Sequence, residues 1–289
     1  MTPTFSSRRP SARTRSHRPP RLPAKKSLGQ HFLIDDTVVS RIANALSPAD
    51  DKTVIEIGSG TGVLTGALSS CARRVIAIEL DDALAEQLKE QFSGTNVEVV
   101  HGDALKVEPR RLLQSSEPYL LAGNLPYNIA QPVLRRFLEA THQPQRLVVM
   151  VQAEVAESIV AETGGMSVLS VAVQLYGTPR LLFHVPPSAF QPPPKVQSAV
   201  IRIDVTPVLR ADVQDKEAFF RVVRAGFSSR RKQIRNALAN GLRIDSAASA
   251  ALLDAANIDP TLRPQALTLE AWASLERAWT KGGRPEGPS

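Results

Sequence analysis

The chain has 289 residues, enough for one large domain and a smaller one with buried cores. Its apolar fraction of 43% and charged fraction of 22% are typical of soluble globular proteins. No apolar run reaches the ~20 residues of a membrane-spanning helix. The single cysteine, Cys71, excludes an intrachain disulfide and a cysteine-rich zinc site. The single cysteine fits a reducing compartment, and we expect a monomeric, cytoplasmic protein with no membrane contact and no metal.

The formal net charge of +7 is concentrated at the N-terminus, because eight basic residues precede the first acidic residue, Asp35. The rest of the chain is close to neutral, so a polyanionic partner has to be inferred from local basic clusters. Residues 1–24 are rich in Arg and Ser and contain five prolines, which predicts a disordered basic tail. An organellar transit peptide and a flexible phosphate-binding arm are the alternatives for this tail.

Beyond a predicted helix at 36–46, short β-rich segments alternate with helices. Strands are predicted at 53–57, 74–80, 97–100, 119–122, 147–151, 180–184 and 198–205, and helices between most of them, for example at 82–92 and 131–140. This alternation predicts a mostly parallel, doubly wound α/β sheet. The step from 184 to 198 contains prolines and no predicted helix, which indicates an antiparallel pair at one edge of the sheet.

The strand signal ends after residue 205. Helices are predicted at 216–226, 230–238, 247–256 and 267–280, which together describe a small all-helical domain. The predicted organisation is therefore a tail at 1–24, an α/β domain at 25–205 and a helical domain at 206–289.

The strand at 53–57 runs into a turn that contains Gly58, Gly60 and Gly62, and a helix follows. Glycines permit positive φ there and let a ligand approach the backbone closely. Because position 63 is Val, the dinucleotide fingerprint is incomplete, and the absence of a following lysine excludes a phosphate-binding P-loop. The turn alone indicates a nucleotide-like ligand.

Two carboxylates at the ends of the next two strands narrow the choice of ligand. Glu79 lies about 20 residues after the glycine turn, where a carboxylate accepts hydrogen bonds from both ribose hydroxyls. Asp103 follows the next strand and is placed to accept from an adenine amine. Because the carboxyl ends of adjacent parallel strands converge, these placements predict S-adenosylmethionine (SAM) rather than NAD.

The strand at 119–122 continues into the predicted catalytic segment, Gly123-Asn124-Leu125-Pro126-Tyr127. The side-chain oxygen of Asn124 and the backbone carbonyl of Leu125 each accept one N–H of a planar amine, which aims its lone pair at a methyl donor. No general base is needed before the transfer, because the methylated amine becomes strongly acidic. Tyr127 offers a face on which the base stacks.

Phe190 begins a segment with prolines at 192, 193 and 194. These prolines stiffen the loop, which can hold an exposed aromatic ring without an ordering cost on binding. We expect Phe190 to be exposed opposite Tyr127 and to complete a slot for a base removed from its stack. The alternative is a phenylalanine buried in the core.

Together these motifs closely resemble the ribosomal RNA adenine dimethyltransferase family, from residue 26 to about 279. The shared segments are 27–33, the glycine turn, 124–128, 190–200 and 227–232. The resemblance implies a class I SAM-dependent methyltransferase fold, Rossmann-like with a seven-stranded sheet, joined to a small helical domain that contacts rRNA. It also implies SAM as the methyl donor and dimethylation of two adjacent adenosines in the 3′-terminal hairpin loop of small-subunit rRNA, during ribosome biogenesis.

The resemblance assigns roles to two more groups of residues. In the family the segment matching 31–33 folds over SAM, so His31 and Leu33 are expected to contact the cofactor, although many relatives have Asn at position 31. A basic cluster resembles the family's rRNA-contacting surface: Arg221, Arg224, Arg230, Arg231, Lys232 and Arg235. The last four are expected to begin a helix. A solvated helical face is the alternative for this cluster.

Two other functions remain open at this point. The related large-subunit rRNA adenine methyltransferases of macrolide resistance share the same chemistry, but the Gly29-Gln30 pair and the segment 263–267 favour the small-subunit branch. A non-catalytic RNA-binding or transcription factor on the same fold is disfavoured by the intact set of Glu79, Asp103 and 124–127.

Overall fold

The computed structural model describes residues 25, 29–113 and 117–282. The predicted tail at 1–24 lies outside the described residues. The strands are β1 (Phe32–Leu33), β2 (Thr53–Ile57), β3 (Arg74–Glu79), β4 (Val97–His101), β5 (Tyr119–Asn124), β6 (Arg146–Gln152), β7 (Gly177–Val185), β8 (Phe190–Gln191) and β9 (Ser198–Val205). The main sheet has the order β4-β3-β2-β5-β6-β9-β7. Since β9 runs antiparallel to both of its neighbours, the predicted seven-stranded, mostly parallel sheet with an antiparallel edge pair is confirmed.

The first seven helices surround this sheet: α1 (Asp36–Ala45), α2 (Val63–Ser69), α3 (Asp82–Gln91), α4 (Pro109–Leu112), α5 (Ala130–Leu138), α6 (Ala153–Val160) and α7 (Val168–Gln174). Side-chain caps explain where several of them begin. The carboxylate of Asp35 accepts from the backbone N–H groups of Thr37 and Val38 at the start of α1. Ser167 caps α7 in the same way, because its hydroxyl accepts from the backbone N–H of Ser170.

Successive residues along each strand enter opposite cores, as the two-residue period of a strand requires. Ile55 and Ile57 of β2 belong to the core under α5, whereas Val54 packs in the core under α1 and α2. Both faces are covered, which explains why the strands read as nearly continuous apolar runs. In the part of the chain that the structure describes, every helix is too short or too polar to span a lipid bilayer.

After β9 the chain forms α8 (Lys216–Gly226), α9 (Ile234–Leu242), α10 (Ser246–Ala255) and α11 (Leu269–Lys281). Trp272 is fully buried among them, and the apolar core continues from these helices to the sheet. The fully buried carboxylate of Glu276 on α11 accepts from the backbone N–H groups of residues 214 and 215, 3.1 Å away in each case. This contact ties α11 to the start of α8. The division into domains at 205/206 stays a prediction.

One predicted helix start is wrong. The helix expected from Arg230 begins at Ile234, after a 3-10 turn at Phe227–Ser229 and an extended Gln233. Arg230, Arg231 and Lys232 therefore lie in the connection between helices, where all three are exposed. Ile234 is the first residue after Arg230 to be buried in the core, and the helix begins at this residue.

Candidate active site

A cleft opens at the carboxyl ends of β2, β3 and β5. It lies beside the point where the chain order of the sheet reverses between β2 and β5, which is where open α/β sheets bind ligands. The structure brings most of the predicted site residues into the lining of this one cleft: His31, Leu33, Gly58, Gly60, Glu79, Asp103, Asn124, Leu125, Pro126 and Tyr127. We call residues 58–62 with Glu79 and Asp103 the cofactor wall, and residues 124–127 with His31 the acceptor wall.

The turn of the cofactor wall needs its glycines. Gly58, Gly60 and Gly62 all have positive φ, between 56° and 80°. A Cβ on Gly62 would lie 2.7 Å from a methyl carbon of Leu88, so this position also needs glycine for close packing on α3. At Gly58 and Gly60 the turn therefore presents backbone without a side chain to the cleft.

Glu79 joins the turn to the end of β3. Its side chain is buried, with Oε2 accepting from the Gly60 N–H at 2.8 Å and Oε1 accepting from the Asp81 N–H at 2.9 Å. Burial raises the pKa of Glu79, and these backbone hydrogen bonds oppose the rise. Each oxygen keeps lone-pair capacity for a further donor, which suits two neighbouring hydroxyls.

Asp103 follows β4 on the same wall. Its Oδ1 accepts from the Leu105 N–H at 2.9 Å, which fixes the carboxylate at the start of a turn, and Lys106 Nζ lies 3.8 Å from its Oδ2. The carboxylate lines the cleft and is partly exposed, so it remains available to an amine donor.

Glu56 also lines the cleft, and it was not singled out from the sequence. Burial raises the pKa of this carboxyl to about 7, against hydrogen bonds that lower it, and the nearby charge of Glu79 raises it further. The Thr65 hydroxyl donates to its Oε2 at 2.6 Å. One sequence feature could have identified Glu56: it is the only charged residue in the strand Thr53–Ile57. Glutamates are almost never fully buried without a partner.

The N-terminal segment 29–33 crosses the mouth of the cleft. The backbone carbonyl of His31 accepts from Asn124 Nδ2 at 2.9 Å, and Phe32 lies against Gly60, where an added Cβ would be 3.2 Å from its ring. Further along, Asp81 Oδ2 holds both Lys25 Nζ, at 2.8 Å, and the Gln30 side-chain amide, at 3.3 Å. The segment is thus attached to both walls. The contacts of Asp81 were not anticipated from the sequence, because they join positions more than fifty residues apart.

Asn124 ends β5 with its side-chain orientation fixed. A backbone carbonyl only accepts hydrogen bonds, so the Asn124 amide nitrogen faces His31 and the oxygen Oδ1 is left for another donor. Leu125 donates its backbone N–H to Met150, and among the described residues no hydrogen bond uses its own carbonyl. Two acceptors, Asn124 Oδ1 and the Leu125 carbonyl, therefore remain on consecutive residues at the cleft.

Tyr127 completes the acceptor wall. Its ring is partly exposed and stacks on the His31 ring, with centroids 5.8 Å apart and an interplanar angle of 26°. Its hydroxyl lies 2.7 Å from the hydroxyl of Ser198, and burial raises its pKa. The His31 ring is positioned in turn by a hydrogen bond, because its Nδ1 lies 2.8 Å from the Pro192 carbonyl oxygen.

The expected exposure of Phe190 is wrong. Its side chain is only 3% exposed and packs in the core under α1 and α2, and its backbone pairs with Leu33 in the short sheet of β1 and β8. Phe190 is absent from the cleft lining found among the described residues. The prolines do stiffen this loop, but pairing with the N-terminal segment turns the ring inward. The loop also contains a 3-10 turn at Pro187–Ala189 that was not predicted.

The basic cluster lies on α8, on the connection to α9 and in the first turn of α9. Arg221 and Arg224 are exposed on α8, whereas Arg235 is partly buried and its Nε has no hydrogen-bond partner among the described residues. Arg230 lines a groove whose opposite side includes Gln131, in the first turn of α5. Asn128 and Ile129, just before α5, line the cofactor cleft, so the cleft and this groove are lined by neighbouring residues at the start of α5.

The cleft fits SAM on three observations: an open glycine backbone, a buried Glu79 with free lone pairs, and Asp103 one strand further out. Together with the strand order, these features define a class I SAM-dependent methyltransferase. Comparison with known families gives a finer assignment. The chain belongs to the ribosomal RNA adenine dimethylase family, whose sequence profile matches residues 21–275.

Curated relatives agree with this assignment. The chain is 46% identical over 255 residues to the ribosomal RNA small subunit methyltransferase A of Dehalococcoides mccartyi, covering 88% of both chains. It is 41% identical to the protein of the same name from Desulfitobacterium hafniense, covering 89% of this chain and 93% of that one.

Solved structures agree as well. The 23S rRNA methyltransferase ErmE is similar with a TM-score of 0.65 and 28% identity, over 86% of this chain and 98% of that one. A dimethyladenosine transferase from Plasmodium falciparum is similar with a TM-score of 0.72 over 87% of this chain and 98% of that one; at 24% identity this likeness supports the fold alone.

Proposed function

We propose that this protein dimethylates the exocyclic amines of two adjacent adenosines in the 3′-terminal hairpin loop of small-subunit rRNA. The observation that carries the proposal is the pair of acceptors at the cleft, Asn124 Oδ1 and the Leu125 carbonyl, with the Asn124 amide fixed by the His31 carbonyl. The names of the most similar curated relatives support the choice of the small subunit.

SAM supplies an electrophilic methyl group when it is bound. The chain's own residues then do three things. Glu79 would accept from the ribose hydroxyls of the cofactor and Asp103 from its adenine amine. The backbone at 58–62 leaves space for the rest of the cofactor. Asn124 and Leu125 accept the two N–H groups of the target amine, which directs its lone pair and favours a tetrahedral nitrogen. Well-oriented reactants lower a barrier by ~7 kcal/mol or more, so orientation is the main contribution.

The acceptor wall also explains why no general base is required. The lone pair of an adenine amine is delocalised into the ring, so the amine is a poor nucleophile before it is oriented. Once methylated, it is strongly acidic and loses its proton readily. Tyr127 receives the face of the extruded base, a contact worth ~1–3 kcal/mol.

The basic cluster gives the RNA a path to this wall. Arg230 stands on the groove that leads to α5, and the exposed cations beside it suit the phosphates of the strand that flanks the target. We place this activity in the cytoplasm. We also propose that the protein acts as a monomer, so the purified protein should sediment with the mass of a single chain.

The function is tested with the purified protein, tritiated SAM and three acceptors: unmethylated small subunits, unmethylated large subunits and duplex DNA. Nucleoside analysis should find label in dimethyladenosine from small subunits alone. RNA binding without methyl transfer to any acceptor would instead identify a non-catalytic RNA-binding factor.

A second candidate rests on the likeness to ErmE, which is a 23S rRNA methyltransferase. The 28% identity to that protein is lower than the 46% identity to the small-subunit relative, so we rank the large subunit second. Label in adenosines of the large subunit alone would reverse this order.

A further inference from the structure

Ser198 is a polar residue buried behind the acceptor wall. It is the first residue of β9, it is fully buried, and its backbone is paired with Gln152 of β6 and Val185 of β7. Strands on both sides therefore fix its position. Its hydroxyl lies 2.7 Å from the Tyr127 hydroxyl, so the tip of a partly exposed ring is attached to the interior of the sheet.

This hydrogen bond restrains the ring in a way that packing alone does not. The side chain of tyrosine has two rotatable torsions, and a ring held only by stacking on His31 retains freedom to slide within its plane. A bond at the hydroxyl removes that freedom. A buried hydroxyl without a partner costs about 1–3 kcal/mol, so the fully buried Ser198 favours the paired state.

The loop from Pro192 to Ser198 holds both rings of the acceptor wall. Near one end, the Pro192 carbonyl oxygen lies 2.8 Å from His31 Nδ1; at the other end, Ser198 holds Tyr127. Pro193 and Pro194, which lie between them, restrict the backbone of this loop and so reduce its ordering cost on binding. This is a use of the proline segment other than the exposed Phe190 expected from the sequence.

We propose that Ser198 is a positioning residue that holds the Tyr127 ring in the orientation in which its face receives the target base. The proposal rests on the proposed function, since a face for a base has meaning only if a base is the acceptor. Ser198 is not among the residues that line the cleft in the described chain, so it acts through Tyr127.

The kinetic test is a double-mutant cycle of Ser198→Ala and Tyr127→Phe, with kcat and KM measured on small subunits. Each single variant loses the same hydrogen bond, so each should lower kcat/KM roughly 5- to 10-fold and leave the Kd for SAM unchanged. The double variant should lose no more than either single variant. Losses that multiply would show that Ser198 acts independently of Tyr127, which would overturn the proposal.

The matched control is Thr53→Val, which removes a fully buried hydroxyl at the amino end of β2, away from the cleft, where Thr53 donates to Glu117. This variant should keep the kcat/KM of the parent. A loss in the control equal to that of Ser198→Ala would mean that any buried hydroxyl has the same effect, and the proposal would fail.

A spectroscopic readout separates the proposal from the proposed function. The chain has three tyrosines, so protein labelled with carbon-13 at the tyrosine ζ position gives few NMR signals, and Tyr127→Phe assigns one by its loss. Ser198→Ala should shift that signal and leave the other two in place. An unmoved Tyr127 signal overturns the proposal even if the parent enzyme methylates small subunits. A shifted signal in a protein that methylates no adenosine refutes the proposed function, and the role assigned to Ser198 with it.

Discussion

The cofactor wall of the cleft consists of backbone and of carboxylates at neighbouring strand ends, whereas the acceptor wall consists of groups held in place by residues far away in the sequence. On the cofactor wall, the Gly60 N–H donates to the Glu79 carboxylate, and the two residues lie just after β2 and at the end of the adjacent strand β3. On the acceptor wall, Asn124 depends on His31, and Tyr127 depends on Ser198. One wall is built by the sheet itself, and the other is assembled from segments far apart in the chain.

This difference has a consequence for the effects of substitutions. Changes on the cofactor wall should alter affinity for the cofactor, because its groups bind the ground state. Changes on the acceptor wall should alter the rate, because its groups orient the amine that reacts.

The largest effect is expected from Asn124→Ala. This variant loses one of the two acceptors for the target amine, so kcat should fall by about 1000-fold or more, while the Kd for SAM stays within a few-fold. Single-turnover kinetics and calorimetric titration measure the two quantities. Substantial residual methylation would remove Asn124 from its proposed role and break the distinction between the walls.

Glu79→Ala should show the opposite pattern. Loss of a carboxylate that accepts two hydrogen bonds should weaken SAM binding by about 100-fold, with kcat at saturating SAM reduced far less. Glu79 also holds the glycine turn, so thermal unfolding of the variant must be followed in parallel. An unchanged Kd in a folded variant would contradict the assignment of Glu79 to the cofactor.

Glu56→Gln tests the cost of burying the Glu56 carboxylate beside the cofactor wall. The folded-state pKa of about 7 exceeds the ordinary value of 4.5, so ionisation of Glu56 destabilises the fold increasingly between these pH values and by a constant amount above them. The glutamine variant should therefore be more stable than the parent at pH 8, by on the order of 3 kcal/mol, and equally stable at pH 4. Urea unfolding at several pH values measures this, and a difference that does not vary with pH would refute it.

The smallest effect concerns the surface beyond the acceptor wall. Arg231→Ala should weaken rRNA binding modestly and reduce the slope of log affinity against log salt by up to about one. Lys89→Ala, which removes an exposed cation from α3 on the other side of the cleft, serves as the control and should leave the slope unchanged. Equal slopes for Arg231→Ala and the parent would indicate that the cluster is a solvated surface that makes no phosphate contact.

The two walls also differ in how far the sequence predicts them. Glu79 and Asp103 could be placed because parallel strands end at the same edge of a sheet, so their positions follow from strand order alone. The pairing of β1 with β8 could not be foreseen, because two-residue strands carry no periodic signal. The burial of Phe190 and the contact between Tyr127 and Ser198 depend on that loop geometry and were missed with it.

The most direct test of the account is to map the methylated nucleosides. Unmethylated small subunits are incubated with the protein and SAM, and nuclease fragments of their rRNA are analysed by mass spectrometry. The proposed function predicts two adjacent dimethyladenosines in the 3′-terminal hairpin loop, and it predicts their absence when Asn124→Ala replaces the parent. Methyl groups elsewhere in the RNA, or the same pattern with the Asn124 variant, would contradict it.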